Sequence, residues 1–167
     1  SVDTLIAASK LRVLTYDDIM TSNAGLDVYE NPISEHDYII CVDVSRGLAQ
    51  DYSAFVVIDI THAPWRLVAK YRDKDVRPML FPNVIYNVAT NYNNANVLIE
   101  VNDIGEAVAS SLFYDIEYEN VLMCAMRGRA GQVVGQGFSG NKTQLGVKMS
   151  ITVKKQGCAN LKAIIEE

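Results

Sequence analysis

The sequence lacks the features that would place it in a membrane or in a disulfide-rich class. It has only three cysteines, Cys41, Cys124 and Cys158, and this odd, widely spaced set predicts neither a disulfide framework nor a metal site. No apolar run approaches the ~18 residues of a membrane span, and no basic segment followed by an apolar core opens the chain. We therefore expect a soluble, cytoplasmic protein with no membrane partner.

Acidic residues are missing from one long stretch of an otherwise acidic chain. The net charge of −5, taken alone, argues against nucleic acid as a partner. Residues 121–160, however, contain no Asp or Glu and six bases. The six are Arg127, Arg129, Lys142, Lys148, Lys154 and Lys155. This segregation fits a contact with a polyanion or a plain solvated face, and charge alone leaves both open.

Length and composition predict one α/β domain. The 167 residues are 49% hydrophobic, enough for one core and few for two. We place the domain at 38–167 and read 1–37 as an N-terminal arm or linker, with a short helix at about 5–14. Strands are predicted at 38–43, 54–60, 66–72, 96–101 and 120–124, and further helices at 78–92, 104–116 and 150–166.

The order of these elements predicts a mixed sheet with helices covering its faces. The strand at 66–72 alternates polar and apolar residues, as an edge strand does. Asp103 and Glu106 have the spacing of a capping box, and the last helix is expected to be interrupted near Gly157. Five glycines between 128 and 140 predict an exposed glycine-rich β-hairpin or loop near 127–142.

Two carboxylates end apolar strands. Asp43 follows Tyr38–Val42, and Glu100 follows Asn96–Ile99. Neighbouring strands would bring these acids together, and the pair would repel unless a cation lies between them. Oxygen ligands of this kind suit Mg²⁺ or Mn²⁺, and two such ions can drive phosphodiester hydrolysis. The alternative is that each acid caps a turn or pairs with a base such as Arg46.

Three segments resemble the nuclease domain of the large terminase subunit of T-even-type tailed bacteriophages. The first is DVSRGLAQDYSA at 43–54, followed by a strand, and the second is VLIEVNDIG at 97–105, shortly after Tyr92 and Asn93. The final stretch, GCANLKAIIE at 157–166, also resembles that family. The resemblance extends from about Leu5 to the end of the chain.

The resemblance implies a ribonuclease-H-like fold with Asp43 and Glu100 as catalytic acids that bind Mg²⁺ or Mn²⁺. It implies cutting of concatemeric double-stranded viral DNA, in the host cell cytoplasm, at the start and end of head filling. The ATPase motor domain of the same polypeptide, the portal and the small terminase subunit would be further partners. The sequence has no Gly-x-x-x-x-Gly-Lys-Ser/Thr phosphate loop, so we expect the nuclease part without its motor.

The family's third catalytic acid has no counterpart in the sequence. In the family it lies in a Gly-x-x-His-Asp-Asp-like motif beyond the last helix, and no such motif occurs before Glu167. We therefore expect a domain truncated before that motif, with a metal site short of one ligand and reduced activity.

Several other residues are candidates for supporting roles. Asp51 could orient a ligand or a water behind the metal ligands, or cap a turn. Arg46 is placed to meet the scissile phosphate or a flanking one, or else to pair with Asp51. A glycine-rich hairpin carrying Arg127, Arg129 and Lys142 could lie across a DNA groove, with Lys148, Lys154 and Lys155 adding backbone contacts. Without a recognition helix, little sequence specificity is expected.

Two other functions remain open at this point. The same fold could belong to a junction resolvase or a ribonuclease H that acts on structured DNA or hybrids. A non-catalytic docking module is the third hypothesis, with an acidic face bound to a portal ring and a basic loop on DNA.

Overall fold

A six-stranded mixed sheet forms the centre of the fold. The computed structural model describes residues 2–9, 11–46, 51–126, 130–134 and 142–166. The strands of the sheet are β1 (Thr21–Asn23), β2 (Leu26–Val28), β3 (Tyr38–Asp43), β4 (Ser53–Asp59), β5 (Arg66–Asp73) and β6 (Asn96–Ile99). Their spatial order is β1-β2-β5-β4-β3-β6, with β3 and β6 parallel and the other pairs antiparallel.

Helices and a smaller sheet complete the described fold. The helices are α1 (Val2–Ala8), α2 (Phe81–Asn91), α3 (Gly105–Ser110), which continues as a π-helical turn over Ser111–Asp115, and α4 (Ile151–Glu166). The smaller antiparallel sheet consists of β7 (Met123–Ala125), β8 (Val133–Val134) and β9 (Thr143–Leu145), with β7 in the middle. None of the helices in the described ranges has the length and apolar character needed to span a bilayer.

The hydrophobic core lies on one face of the large sheet. Strand side chains alternate between faces, and the alternation in β3 buries Tyr38, Ile40 and Val42. On the same face, Phe55 of β4 stacks on Tyr71 of β5 with 4.9 Å between ring centroids. The odd-numbered residues of β3 point to the opposite, less covered face, and Asp43 is one of them. The register of β3 therefore directs this acid away from the core.

The predicted mixed sheet flanked by helices is confirmed, but four details were wrong. Strand β5 is internal, because β2 pairs with its outer edge. Helix α4 runs through Gly157 without interruption. Asp103 does not cap α3, since Ile104 occupies that position. Strand β7 belongs to the smaller sheet, although Val121 just before it bridges to Val97 of β6.

The residues before position 38 contribute more to the sheet than an arm or linker would. Strands β1 and β2 form a hairpin, and β2 extends the sheet through Leu26 opposite Tyr71. The tight turn between them needs Gly25, which has a φ of +86° and whose added Cβ would lie 2.8 Å from the Arg72 carbonyl oxygen. The boundary between an arm and a domain at position 38 stays a prediction.

Candidate metal centre

The backbone of two parallel strands brings Asp43 and Glu100 to the same edge of the sheet. Val42 of β3 lies opposite Ile99 of β6, and each acid follows one of these residues. The Glu100 N–H donates to the Val42 carbonyl oxygen at 2.9 Å, so the pairing extends to Glu100. Alternation along both strands places Asp43 and Glu100 on the less covered face.

Two glycines allow other segments to pack closely around the main chain at Glu100. A Cβ on Gly105, at the start of α3, would lie 2.0 Å from the Glu100 carbonyl oxygen. Gly146 has a φ of +75°, and its Cβ would lie 2.3 Å from the Ile99 carbonyl oxygen. Neither position has room for a side chain. The close approach of these segments fixes the backbone that carries Glu100.

Both carboxylates line one open cavity of about 410 Å³. Its walls also include Cys41, Val56 and Met149. Asp43 is exposed and Glu100 is half-buried. The pKa of the Glu100 carboxyl is raised, because burial and the negative charge of Asp43 both disfavour its ionised form. The positive charge of Lys154 opposes this shift only in part. The two acids therefore interact with each other at the edge of this cavity.

The donor chemistry of the pair fits a hard divalent cation. Among the residues that the structure describes, neither carboxylate has a hydrogen-bond or ion-pair partner, and no group of three His, Cys, Asp or Glu side chains is arranged to bind a metal. Mg²⁺ often uses only one or two protein carboxylates, with water and substrate phosphate supplying the remaining ligands. Asp43 and Glu100 are thus a suitable partial ligand set.

The structure shows the contacts of two residues that are candidates for supporting roles, Asp51 and Arg46. Asp51 is exposed, and its main-chain carbonyl accepts a hydrogen bond from the Ser45 hydroxyl at 2.9 Å. Arg46 pairs with Asp103 and not with Asp51. Its Nη2 donates to Asp103 Oδ1 at 2.6 Å, and its Nε donates to the other carboxylate oxygen. The alternative interpretation of Arg46, an ion pair with Asp51, was therefore wrong.

The basic candidates are distributed unevenly around the acids. Lys154, near the start of α4, is close enough to Glu100 to influence its charge. Lys142, Lys148 and Lys155 are exposed, and Lys148 borders a separate cavity beside the smaller sheet. Arg127 and Arg129 lie outside the described residues, as does most of the predicted hairpin at 127–142.

Asn102 is a site residue that sequence reasoning did not identify. Its side chain donates to the Met149 carbonyl oxygen at 3.1 Å and accepts from the Met149 N–H at 2.9 Å. Met149 lines the cavity and directly precedes the turn into α4. Asn102 thus connects the segment after Glu100 to the start of the basic helix. Its position two residues after an acid gave no signal, because the partner lies 47 residues away.

The sheet order and the paired strand-end acids define a ribonuclease-H-like domain. The chain belongs to the family described as the terminase RNaseH-like domain, which it matches over residues 40–167. This membership confirms the predicted fold and the predicted relation to phage DNA-packaging terminases.

Solved structures of phage terminase nucleases share the fold. The large terminase nuclease from thermophilic phage G20c with bound cobalt superimposes with a TM-score of 0.67 and 23% identity, over 98% of this chain and 69% of that one. The same nuclease with bound magnesium gives 0.67 and 21%, with the same coverage. The large terminase nuclease domain of Thermus phage P74-26 gives 0.62 and 24%, over 98% and 67%. These similarities do not support the narrower T-even-type assignment.

Proposed function

We propose that this chain is a metal-dependent endonuclease domain of a phage large terminase, which cuts double-stranded DNA during genome packaging. The observation that carries the proposal is the convergence of Asp43 and Glu100 on one open cavity at the ends of hydrogen-bonded parallel strands. Family membership and the metal-bound relatives support it. Asp43 and Glu100 would hold Mg²⁺ or Mn²⁺.

We assign a separate role in hydrolysis to each residue of the site. A bound divalent ion supplies charge stabilisation at the phosphate and lowers the pKa of a bound water, and a pair of ions would do both at once. The two carboxylates fix the position of the ion, since their strands are joined by backbone hydrogen bonds. Asp51 is proposed to order water near the loop after β3, from its exposed position.

The basic residues are proposed to hold the DNA backbone. Lys154 acts on the charge of Glu100, and Lys142, Lys148 and Lys155 would extend the positive surface from the smaller sheet onto α4. Arg127 and Arg129 belong to the same positive stretch of sequence. Contacts of this kind bind phosphates and carry little sequence information. Low sequence specificity is the expected result.

The larger assembly is also a proposal. We infer that an ATPase motor domain in the same polypeptide, a portal and a small terminase subunit are the partners, and that the protein works in the host cytoplasm. Residues 1–37 would follow the joint to the motor domain, with β1 and β2 within them belonging to the nuclease sheet. A T-even-type source stays a prediction.

The test is cleavage of plasmid and linear duplex DNA with Mg²⁺, Mn²⁺ or EDTA. Asp43→Asn and Glu100→Gln should each reduce metal-dependent cleavage about 100-fold or more, because even residues behind metal ligands contribute about 10–100-fold. Calorimetric Mn²⁺ titration of the same variants should show the loss of metal binding. Asp27→Asn, on the distant strand β2, is the matched control and should cut normally.

Four results would contradict the proposal. Cutting that persists in EDTA would exclude a metal-dependent reaction, and full activity in both acid variants would remove these residues from the site. A strong preference for four-way junctions or RNA–DNA hybrids over duplex DNA would favour a resolvase or a ribonuclease H. Absence of both metal binding and cutting in the unaltered chain would favour the docking module.

A further inference from the structure

An ion pair connects the two segments that follow the proposed catalytic acids. Arg46 comes three residues after Asp43, and Asp103 comes three residues after Glu100. The guanidinium of Arg46 donates through both Nε and Nη2 to the two carboxylate oxygens of Asp103. The pair thus joins the segment after β3 to the segment after β6, three residues beyond each acid.

Folding stability does not account for this pair. The side chains of Arg46 and Asp103 are 65% and 54% exposed, and ion pairs in such an environment contribute little to the free energy of folding. Asp103 also has a φ of +57°, in the left-handed region that non-glycine residues seldom occupy.

The geometry of the guanidinium leaves part of it available for a second anion. Arginine has five N–H donors in one plane, and the pair with Asp103 uses the edge formed by Nε and Nη2. The edge formed by Nη1 and the second Nη2 proton has no acceptor among the residues that the structure describes. That edge matches two oxygens of a phosphate group.

We propose that Asp103 is a positioning residue that holds Arg46 beside the acid pair, so that the outer edge of the guanidinium binds a phosphate of the DNA strand being cut. The inference rests on the proposed nuclease function and adds the substrate-orienting part of that site. Asp103 acts through Arg46 and does not touch the DNA.

The central experiment compares DNA binding and cleavage in Asp103→Asn. Loss of positioning should lower kcat for metal-dependent cleavage about tenfold, since small misplacements at a reacting group are costly. DNA affinity should stay the same or rise, because a negative charge beside the DNA is removed. A variant that was merely less folded would lose both binding and cleavage, so the split between the two is diagnostic. Circular dichroism melts identify unfolding.

Arg46→Gln tests the phosphate contact itself. The slope of log affinity against log salt concentration should fall by about 0.9 for duplex DNA, which corresponds to one lost phosphate contact. Arg12→Gln is the matched control, because Arg12 forms an ion pair with Asp18 that has the same 2.6 Å Nη2–Oδ1 distance. This control should leave the salt slope and kcat unchanged.

The exchanged double variant Arg46→Asp with Asp103→Arg separates positioning from simple clamping of two segments. It can re-form the ion pair but moves the guanidinium to the other segment, so cleavage should remain low. Restored cleavage would overturn the inference, as would normal kcat in Asp103→Asn or an unchanged salt slope in Arg46→Gln. If the unaltered chain shows neither Mn²⁺ binding nor metal-dependent cutting, the proposed function itself fails. If the unaltered chain cuts DNA and these variants cut it equally well, only the proposed role of Asp103 fails.

Discussion

The carboxylates at the two ends of strand β3 differ in whether they have hydrogen-bond partners. At one end, Asp43 and Glu100 lie side by side with no hydrogen-bond partner for either carboxylate among the described residues. At the other end, Tyr38 lies opposite Asp59 of β4, and Asp59 is fully engaged. It accepts from Arg66 Nη2 at 3.1 Å and from the Thr61 N–H at 3.0 Å, and it contacts His36 Nδ1 at 2.8 Å.

The pKa values follow from these surroundings. Burial alone would raise the pKa of Asp59, whose side chain is 4% exposed, but the hydrogen bonds from His36 and Thr61 outweigh burial and lower it to about 2. The pKa of Glu100 is raised, because burial and the charge of Asp43 both oppose its ionisation. A partnered acid strengthens the fold, whereas an unpartnered pair weakens it and is suited to a cation.

Replacing the partnered acid should have the largest effect on stability. Asp59→Asn removes the charge that Arg66 and His36 contact, and we expect the free energy of unfolding to fall by about 2 kcal/mol, the typical value for buried hydrogen bonds to a charged group. Urea denaturation measures this change. At temperatures where the variant is folded, metal-dependent cleavage should be normal. A large loss of cleavage in the folded variant would show that Asp59 also contributes to cleavage, and the contrast between the two ends would then be wrong.

The pH dependence of stability should have opposite signs at the two ends. The folded pKa of Asp59, about 2, lies below its ordinary value of 3.8, so its contribution is present above pH 3.8 and is lost as the pH falls towards 2. The folded pKa of Glu100 lies above its ordinary value of 4.5, so its ionised form weakens the fold at neutral pH. Protonation removes this penalty as the pH falls through the folded pKa.

Variants at the two ends can separate these contributions. In the absence of metal, Glu100→Gln should be slightly more stable than the unaltered chain at pH 7, and this difference should vanish at acidic pH. Asp59→Asn should show its deficit at pH 7 and lose it between pH 4 and 2. Denaturation midpoints measured across this range provide the comparison. A destabilised Glu100→Gln at pH 7 would mean that its carboxylate has a structural partner.

The contrast also explains which parts of the site could be predicted from the sequence. Asp43 and Glu100 could be paired from sequence because each ends an apolar strand, and parallel strands joined by a helical crossover tend to be neighbours. Whether the pair is catalytic stays a prediction. Arg46 could not be paired correctly, because Asp103 lies 57 residues away and reaches it only through the β3–β6 register. Long-range polar contacts leave no local pattern.

The same limit applies to the fold. Long apolar runs such as Tyr38–Asp43 predicted their strands, because burial of alternate residues dictates composition over several positions. Strands β1 and β2 have three residues each, too few for any periodicity. A sheet predicted without β1 and β2 has β5 at its edge. Helix α4 continues through Gly157, because open space surrounds that glycine and nothing in the described structure bends the helix there.

The smallest expected effect concerns Lys154, the lysine whose charge acts on Glu100. Lys154→Gln should weaken duplex binding a few-fold and lower the salt slope by about 0.9, the value for one phosphate contact. It should also raise the pKa of Glu100 further, because Lys154 opposes the charge of Asp43. Lys162→Gln on the same helix is the matched control, since Lys162 lies 3.8 Å from Glu166 and away from the cavity. Equal losses in both variants would show that α4 contributes only general charge, and that the acid edge has no dedicated basic neighbour.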